Sequence, residues 1–456
     1  MITEHDGSSL ATRITTHLAR PDIRAIRARA EATGGCLQPV HLTGHRTVTE
    51  RATGRILDRT AGVVYAPCGN RRESVCPACS DRYAADAFHL IRAGMTGGKS
   101  IPEDVADKPR LFVTFTAPSF GPVHSRRTTR TGRRIPCSCG EYHHDADTRV
   151  GTALNPQTYD YNGAVLWQGH AGDLWHAFTV RLRREIAAAA GYRAKDFPAL
   201  ARLSYAKVGE YQRRGLIHFH AVIRLDGPEG AHDPAPAWAD NRLMEHAVRA
   251  AAAHTRVTRT YLIDKVATEY AFTWGEQVDV RPIRPAHAAI IEDGGEISDR
   301  ALAGYIAKYA TKGTSTSEVP DRPVRSERAI AALDVHPHHR RMITAAWDLG
   351  ASGDLAFLRK WAHMLGFRGH FLTKSQRYSV TFTALRGDRR AYQHLVTLEA
   401  AGTHPDAVLV VNDWSYTGNG YRHHEEREIA EAIYEGKRQQ RKENLVALKE
   451  QAAPGR

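Results

Sequence analysis

The stretch of the chain that is best suited to chemistry is a run of ten residues, LIHFHAVIRL, at positions 216–225. All of its residues except His218, His220 and Arg224 are apolar, and its β-branched and aromatic types predict a buried β-strand. Because side chains alternate across a strand, the two histidines would project from one face, about 7 Å apart along the chain. Two imidazoles held in this way can bind one metal ion, although they equally suit a solvated sheet face.

A third ligand for such an ion stands just upstream of the histidine strand. Residues 201–211 predict a preceding strand, and the chain would turn back through Arg213, Arg214 and Gly215. A hairpin of this kind brings Glu210 near the two histidines. Two imidazoles and one carboxylate leave coordination positions open on the ion, and a substrate phosphate can fill them.

A second reactive element lies at residues 305–312, YIAKYATK. Tyr305 and Tyr309 are four residues apart, as are Lys308 and Lys312, so each pair would share one face of a helix. A tyrosine hydroxyl is a weak nucleophile at neutral pH because its pKa is about 10. A divalent ion can orient a phosphodiester for in-line attack, and a nearby lysine can stabilise the developing charge. The alternative is that both tyrosines are ordinary core residues.

Three motifs, in this order, resemble those of the rolling-circle replication initiators of actinobacterial plasmids and integrative elements, within the HUH endonuclease superfamily. Residues 112–116 (FVTFT) resemble the first motif, His218-Phe219-His220 the metal motif, and residues 305–312 the two-tyrosine nucleophile motif. The resemblance covers roughly residues 30 to 390. Four further segments share it, namely residues 68–79, 116–124, 159–167 and 361–379.

The resemblance implies a DNA nickase. Glu210, His218 and His220 would hold Mg²⁺ or Mn²⁺, and Tyr305 or Tyr309 would attack one phosphodiester, leaving a 5′-phosphotyrosine and a 3′-OH primer. The two lysines of the same motif would stabilise the phosphate charge. The partners would be origin DNA, both as duplex and as exposed single strand, and the host replication helicase and polymerase.

The fold that this resemblance implies is α+β, of the HUH type, with a mainly antiparallel sheet and flanking helices. The sequence itself predicts strands at 111–116, 203–210, 216–225 and 272–283, with helices between them. The expected domains are a cysteine-rich zinc-knuckle region (1–105), a nickase domain (106–315) with an inserted loop at 119–150, and a helical C-terminal region (316–456). The helices are expected at 81–97, within 164–191, and at 243–255, 329–333, 341–349, 358–365 and 425–451.

The six cysteines favour metal binding over disulfides in a cytosolic chain. They are Cys36, Cys68, Cys76, Cys79, Cys137 and Cys139. The first four can complete a tetrahedral zinc site built on a C-x-x-C knuckle, with His41 or His45 as a substitute ligand. Buried thiols without a ligand, or a redox C-x-x-C, are the alternatives.

A second, weaker zinc candidate lies in the inserted loop. Cys137 and Cys139 are followed closely by His143 and His144, so two thiolates and one or two imidazoles are available there. Zinc accepts such a mixed set. A solvent-exposed loop without metal is the alternative for this segment, which is rich in Arg, Thr and Gly.

The net charge and the hydropathy of the chain favour a nucleic-acid-binding protein without a membrane-spanning segment. The net charge of +13 and the pI near 9.5 favour a polyanionic partner such as nucleic acid, although basic charge also aids solubility. The sequence has no apolar run long enough to span a bilayer and no N-terminal signal segment, so a cytoplasmic protein without a membrane partner is expected. The candidate DNA contacts are Arg213, Arg214, Arg368 and Lys374. Residues 336–339, with three histidines, predict an exposed basic turn.

Two other functions remain open at this point. A conjugative relaxase or a transposase uses the same chemistry, although a single H-x-H motif and the lack of a helicase-like extension argue against a relaxase. A non-catalytic, zinc-bearing DNA-binding regulator would explain the charge and the cysteines. It would leave the tyrosine, histidine and glutamate motifs unexplained.

Overall fold

The structure is a computed structural model that describes residues 23–263, 266–283, 302–304, 320, 322–400, 404–421 and 423–452. These residues form two compact units. The first combines the chain up to Tyr83 with the chain from Arg386 onward, and the second spans Ala84–Leu385. This grouping differs from the three consecutive segments expected from the sequence, because elements from both ends of the chain pack together in one unit.

The described strands and helices follow in chain order. The strands are β1 (Val40–Glu50), β2 (Ile56–Ala66), β3 (Arg110–Phe115), β4 (Arg127–Thr128), β5 (Arg134–Ile135), β6 (Arg202–Tyr211), β7 (Ile217–Asp226), β8 (Arg256–Ile263), β9 (Val266–Thr273), β10 (Val278–Pro282), β11 (Leu372–Lys374) and β12 (Val408–Asn419). The α-helices are α1 (Ile23–Ala32), α2 (Pro77–Thr96), α3 (Tyr161–Ala189), α4 (Phe197–Leu200), α5 (Asn241–His254), α6 (Glu327–Ala331), α7 (Pro337–Leu349), α8 (Ala356–Lys360), α9 (Phe382–Ala400) and α10 (His424–Ala452). Both sheets and helices are present and the strand pairs are antiparallel, which confirms the coarse α+β prediction.

The second unit is built on a five-stranded sheet with the strand order β10-β3-β7-β6-β11. The centre of this sheet is the hairpin of β6 and β7, whose turn requires a left-handed residue that Gly215 supplies at φ 72°. On one face, the odd-numbered residues of β7 from Ile217 to Leu225 are fully buried. They pack with the long helix α3, which begins at the N-cap Asp160 and buries Phe178 and Leu182 against the sheet. The opposite face carries the histidines.

The expected strand at 272–283 is wrong in its extent. Two strands occupy this region: β9 pairs with β8 in a separate hairpin, whereas β10 pairs with β3 at the edge of the main sheet. The break falls at Gly275, whose backbone N–H donates to the carbonyl of Thr116. A side chain there would place Cβ 2.6 Å from the carbonyl oxygen of Ala117, so only glycine permits this close approach.

The expected exposed turn at residues 336–339 is also wrong. His336 caps the N-terminus of α7, and the next two histidines, His338 and His339, are buried at 3% and 5% exposure. Their rings hydrogen-bond the backbone carbonyls of Arg214 and Arg213 at 3.2 and 3.0 Å. These histidines therefore support the turn between β6 and β7.

The first unit contains a three-stranded antiparallel sheet with the order β12-β1-β2. None of these strands is predicted from the sequence, because their apolar residues do not alternate clearly and glycine interrupts β1 at Gly44. Helix α1 packs on the C-terminal helix α10 in the same unit. Within the described residues, no helix is long and apolar enough to cross a membrane.

Candidate metal centre

Glu210, His218 and His220 meet on one face of the central hairpin. Glu210 pairs directly with His218 in the register of β6 and β7, and His220 follows two residues later on the same side of β7. The Oε2 atom of Glu210 lies 3.0 Å from Nε2 of His218 and 3.3 Å from Nε2 of His220. The structure therefore brings together the three residues that the sequence analysis selected as metal ligands.

The spacing of these three atoms fits a single divalent ion. In octahedral coordination with bonds of about 2.1 Å, neighbouring ligand atoms are separated by about 3.0 Å. All three ligand atoms lie within 4.8 Å of one another, and the two distances to Glu210 match an octahedral edge. Glu210 and His218 keep 19% and 15% of their side-chain surface accessible, whereas His220 is buried.

Two residues of β3 that were not assigned a role from the sequence support His220. Thr114 pairs with His220 in the sheet, and its Oγ1 lies 3.0 Å from Nδ1 of the histidine. Phe112 stacks on the same ring at a centroid distance of 5.7 Å. A hydrogen bond from Nδ1–H to Thr114 fixes the tautomer and leaves Nε2 free to bind a metal. The alternation of residues in FVTFT could have indicated that Phe112 and Thr114 share this face.

The electrostatics favour the metal-binding forms of these side chains. Burial lowers the pKa of His220, so its imidazole is neutral at physiological pH. Burial raises the pKa of Glu210, but hydrogen bonds with His218 and His220 outweigh it, and the net pKa is lowered. An ionised carboxylate beside a neutral imidazole is the protonation state that metal binding requires.

A four-cysteine cluster stands in the first unit. The sulfur of Cys36 lies 3.8 Å from that of Cys76 and 3.6 Å from that of Cys79, and Cys68 completes the group. Tetrahedral zinc with Zn–S bonds of about 2.3 Å separates its sulfurs by about 3.8 Å. Backbone N–H groups donate to three of these sulfurs, those of Cys36, Cys68 and Cys76. The cluster can therefore hold a metal such as zinc.

The substitute ligands that were considered for this cluster are not needed. His41, the nearer candidate in sequence after Cys36, contacts the carbonyl of Gly420 through Nε2 and stacks on Tyr65. His45 is not part of the group of four ligand atoms either. The described sulfurs alone supply a complete tetrahedral set.

In the inserted loop, the structure also assembles a group of four ligand atoms. Cys137, Cys139 and His143 belong to it, as the sequence suggested, but His144 does not. His124, which lies before the loop's short strands and was not selected from the sequence, supplies the fourth ligand atom.

Comparison with known proteins identifies the family. The family model described as "Replication initiator protein, pSAM2" (RepSA) matches residues 22–435. The chain belongs to this family. The chain is also similar to a replication initiator protein of Streptomyces ambofaciens, with 45% identity over 412 residues that cover 88% of each chain. No solved structure matches the chain.

The four candidate DNA contacts of this replication initiator have different surroundings. Arg213 is exposed and donates to a backbone carbonyl of the inserted loop, whereas Arg214 donates to two carbonyls that follow β3. The ammonium of Lys374 donates to three carbonyls of the segment after β11. Arg368 pairs with Asp173 at 3.0 Å. Binding of DNA by these side chains remains a prediction.

The nucleophile motif lies outside the described residues. This applies to Tyr305, Lys308, Tyr309 and Lys312. The role of these four residues in this replication initiator remains a prediction from their types and their spacing.

Proposed function

We propose that this replication initiator nicks one strand of its origin DNA with a tyrosine nucleophile and so starts rolling-circle replication. The observation that carries the proposal is the group of Glu210, His218 and His220 on two paired strands. In this group, Oε2 of Glu210 lies 3.0 and 3.3 Å from the Nε2 atoms of the two histidines. The Y-x-x-K-Y-x-x-K motif at residues 305–312 supplies the complementary nucleophile. This combination supports an HUH-type arrangement of the central sheet.

The three ligands of the hairpin would hold Mg²⁺ or Mn²⁺. When bound, the ion would supply Lewis-acid polarisation of the scissile phosphodiester. The rigid pairing of β6 and β7 would keep the ligand side chains in place during the reaction, and Thr114 would fix the ring of His220. The accessible parts of Glu210 and His218 are where a single strand of DNA would approach the ion.

The bond changes belong to tyrosine and phosphate. The phenolic oxygen of Tyr305 or Tyr309 loses its proton and bonds to phosphorus, the bond from phosphorus to the 3′ oxygen breaks, and that oxygen takes up a proton as the 3′-OH. The product is a 5′-phosphotyrosine, and the 3′-OH primes synthesis by a host polymerase. Lys308 and Lys312 would stabilise the negative charge of the transferring phosphate. A second tyrosine would allow the same subunit to cut again after one round and rejoin the ends.

The partners follow from this reaction. The net charge of +13 suits a protein that binds duplex origin DNA and an exposed single strand in the cytoplasm, where a host helicase and polymerase would extend the primer. The four-cysteine cluster would hold a structural Zn²⁺ in the first unit. A relaxase or a transposase would share the nicking step and would differ in its partners.

The test is a nicking assay on supercoiled plasmid that carries the cognate origin. Wild type, Tyr305→Phe, Tyr309→Phe and the double variant are compared in Mg²⁺ and in EDTA, and Tyr192→Phe serves as the control because Tyr192 is an exposed tyrosine of the second unit. We expect metal-dependent nicking with protein attached to the 5′ end, lost in the double variant and unchanged in the control. Origin binding without a covalent product under any metal would instead support the non-catalytic regulator.

A further inference from the structure

The inserted loop gathers two imidazoles and two thiols around one point. The Nδ1 atom of His124 lies 3.2 Å from Nε2 of His143, and Sγ of Cys139 lies 3.3 Å from the same Nε2. Cys137 is the fourth member, and all four ligand atoms fall within 4.8 Å of one another. Cys137 and His143 are each only 4% exposed.

These distances match the edges of a zinc tetrahedron. With Zn–N bonds of about 2.0 Å and Zn–S bonds of about 2.3 Å, the ligand atoms of such a site are separated by about 3.3 Å between nitrogens and about 3.5 Å between nitrogen and sulfur. The observed separations of 3.2 and 3.3 Å lie close to both values. Two thiolates and two imidazoles form a ligand set that structural zinc sites use.

The surroundings of the ligands are those of a prepared metal site. Nδ1–H of His143 donates to Oδ2 of Asp147 at 2.7 Å, which directs Nε2 toward the other ligands. Asp147 is itself held by Arg149, whose guanidinium donates to Oδ2 of the carboxylate at 3.0 Å. The backbone N–H of Ser125 donates to Sγ of Cys137 at 3.4 Å, and such a bond stabilises a thiolate.

The loop is closed so that ligands distant in sequence meet. The backbone of His124 exchanges hydrogen bonds with Gly151 and Thr152, which joins the two ends of the insertion. Between them, the C-S-C-G segment turns at Gly140 with φ 89°, and a hydrogen bond from its N–H to the carbonyl of Cys137 tightens the turn. His144 is exposed, and none of its atoms belongs to the set.

We propose that His124, Cys137, Cys139 and His143 bind one structural Zn²⁺, with the carboxylate of Asp147 orienting His143. This site is separate from the four-cysteine cluster and from the Glu210 group, and it does not depend on the proposed nicking reaction.

The zinc site supports the turn of the central hairpin. The guanidinium of Arg213 donates to the backbone carbonyl of Asp145, which lies between His143 and Asp147. At the end of the loop, Gly151 adopts φ 93°, and a Cβ there would fall 2.6 Å from Cβ of Arg213. The bound loop therefore contacts the turn that joins the two strands of the metal centre.

The test is the zinc content of the purified full-length protein, measured by plasma mass spectrometry. His143→Ala is compared with His144→Ala, a neighbouring histidine that lies outside the group. We expect His143→Ala to contain one zinc fewer per chain than wild type and His144→Ala to contain the same amount as wild type. Equal zinc in all three proteins would overturn the proposal.

A second measurement does not depend on whether the His143→Ala variant folds. Wild-type protein is stripped of metal and titrated with Co²⁺, which reports thiolate ligation through a ligand-to-metal charge-transfer band. A Cys79→Ser background weakens the four-cysteine cluster but leaves three of its thiols, so the band is measured with and without the further changes Cys137→Ser and Cys139→Ser, and the difference reports these two cysteines alone. A tetrahedral cobalt spectrum with thiolate charge transfer is expected in this background, and no such band would contradict the site.

A third measurement tests the support of the hairpin turn. Hydrogen exchange is followed in peptides that cover residues 145–151 and 212–216. We expect faster exchange in both segments of His143→Ala and none of this change in His144→Ala. Loss of zinc with unchanged exchange would show that the zinc site does not support the turn. Neither result bears on the nicking proposal, because these variants alter no tyrosine and no residue of the Glu210 group.

Discussion

Lys207 is a lysine buried in the core of the second unit, and its burial predicts that replacing it with an apolar residue raises the free energy of unfolding. Its side chain lies on the face of β6 opposite Glu210, with Nζ 3.8 Å from the ring centre of Phe219 and 5.6 Å from that of Trp175. Among the described residues, no carboxylate pairs with it. Burial lowers the pKa of Lys207 from 10.5 to about 7. Replacement by methionine, which is similar in length and apolar, should therefore stabilise the protein.

The magnitude follows from that pKa. Each pKa unit corresponds to about 1.4 kcal/mol, so holding the charged lysine in the core costs about 5 kcal/mol. Below about pH 7, the lysine is protonated in both the folded and unfolded states, and the whole cost is present. Between about pH 7 and about pH 10, only the unfolded state binds the proton, so the stability of wild type rises by about 1.4 kcal/mol per pH unit from this group. The advantage of Lys207→Met should shrink at the same rate.

The assay is urea denaturation followed by tryptophan fluorescence across this pH range. Six of the seven tryptophans lie in the second unit, so the signal reports mainly on the sheet that contains Lys207. Lys195→Met is the matched control, because Lys195 is an exposed lysine of the same unit. The difference in the free energy of unfolding between Lys207→Met and wild type isolates this lysine from other titrating groups. A difference that is independent of pH, or a less stable Lys207→Met at neutral pH, would refute the reasoning.

Three further changes test other parts of the structure. Thr114→Val removes the hydroxyl beside His220 and should weaken Mn²⁺ binding by about 10- to 100-fold in calorimetry, whereas Thr114→Ser should bind like wild type; equal affinity in both variants would contradict the orienting role. Cys79→Ser should lower the zinc content by one per chain and the melting temperature of the first unit, and unchanged zinc would argue against the four-cysteine site. Tyr261→Phe leaves Nε2 of the buried His170 without its 2.5 Å partner and should lower the free energy of unfolding by about 1–3 kcal/mol in urea titrations; a loss below about 0.5 kcal/mol would show that this bond is not stabilising.

The hairpin that carries the metal centre could be predicted from the sequence alone. The strands expected at 201–211 and 216–225 are observed at Arg202–Tyr211 and Ile217–Asp226. Alternation of residues assigns each side chain to a face, and a short turn with Gly215 fixes the register. Because Glu210 and His218 are eight residues apart in one hairpin, their proximity is a local property of the chain. The long helix and the charged terminal helix were predictable for the same reason, since their periodicity is local.

Only the tertiary structure decided which distant residues complete the other sites. His124 takes the place that the sequence gave to His144, because the ends of the inserted loop join by backbone hydrogen bonds. His338 and His339 lie under the hairpin turn, although their basic neighbours predicted an exposed segment.

The pairing of the chain's two ends was equally invisible in the sequence. Strand β12 pairs with β1 across more than 350 residues, and Ala430 of α10 packs into the cluster that holds Cys36. Periodicity and turn residues are encoded by neighbours in the chain, so they can be read from any short window of sequence. The pairing of distant strands depends on the total free energy of burial and hydrogen bonding in the folded protein. This pairing therefore cannot be predicted from a local sequence pattern.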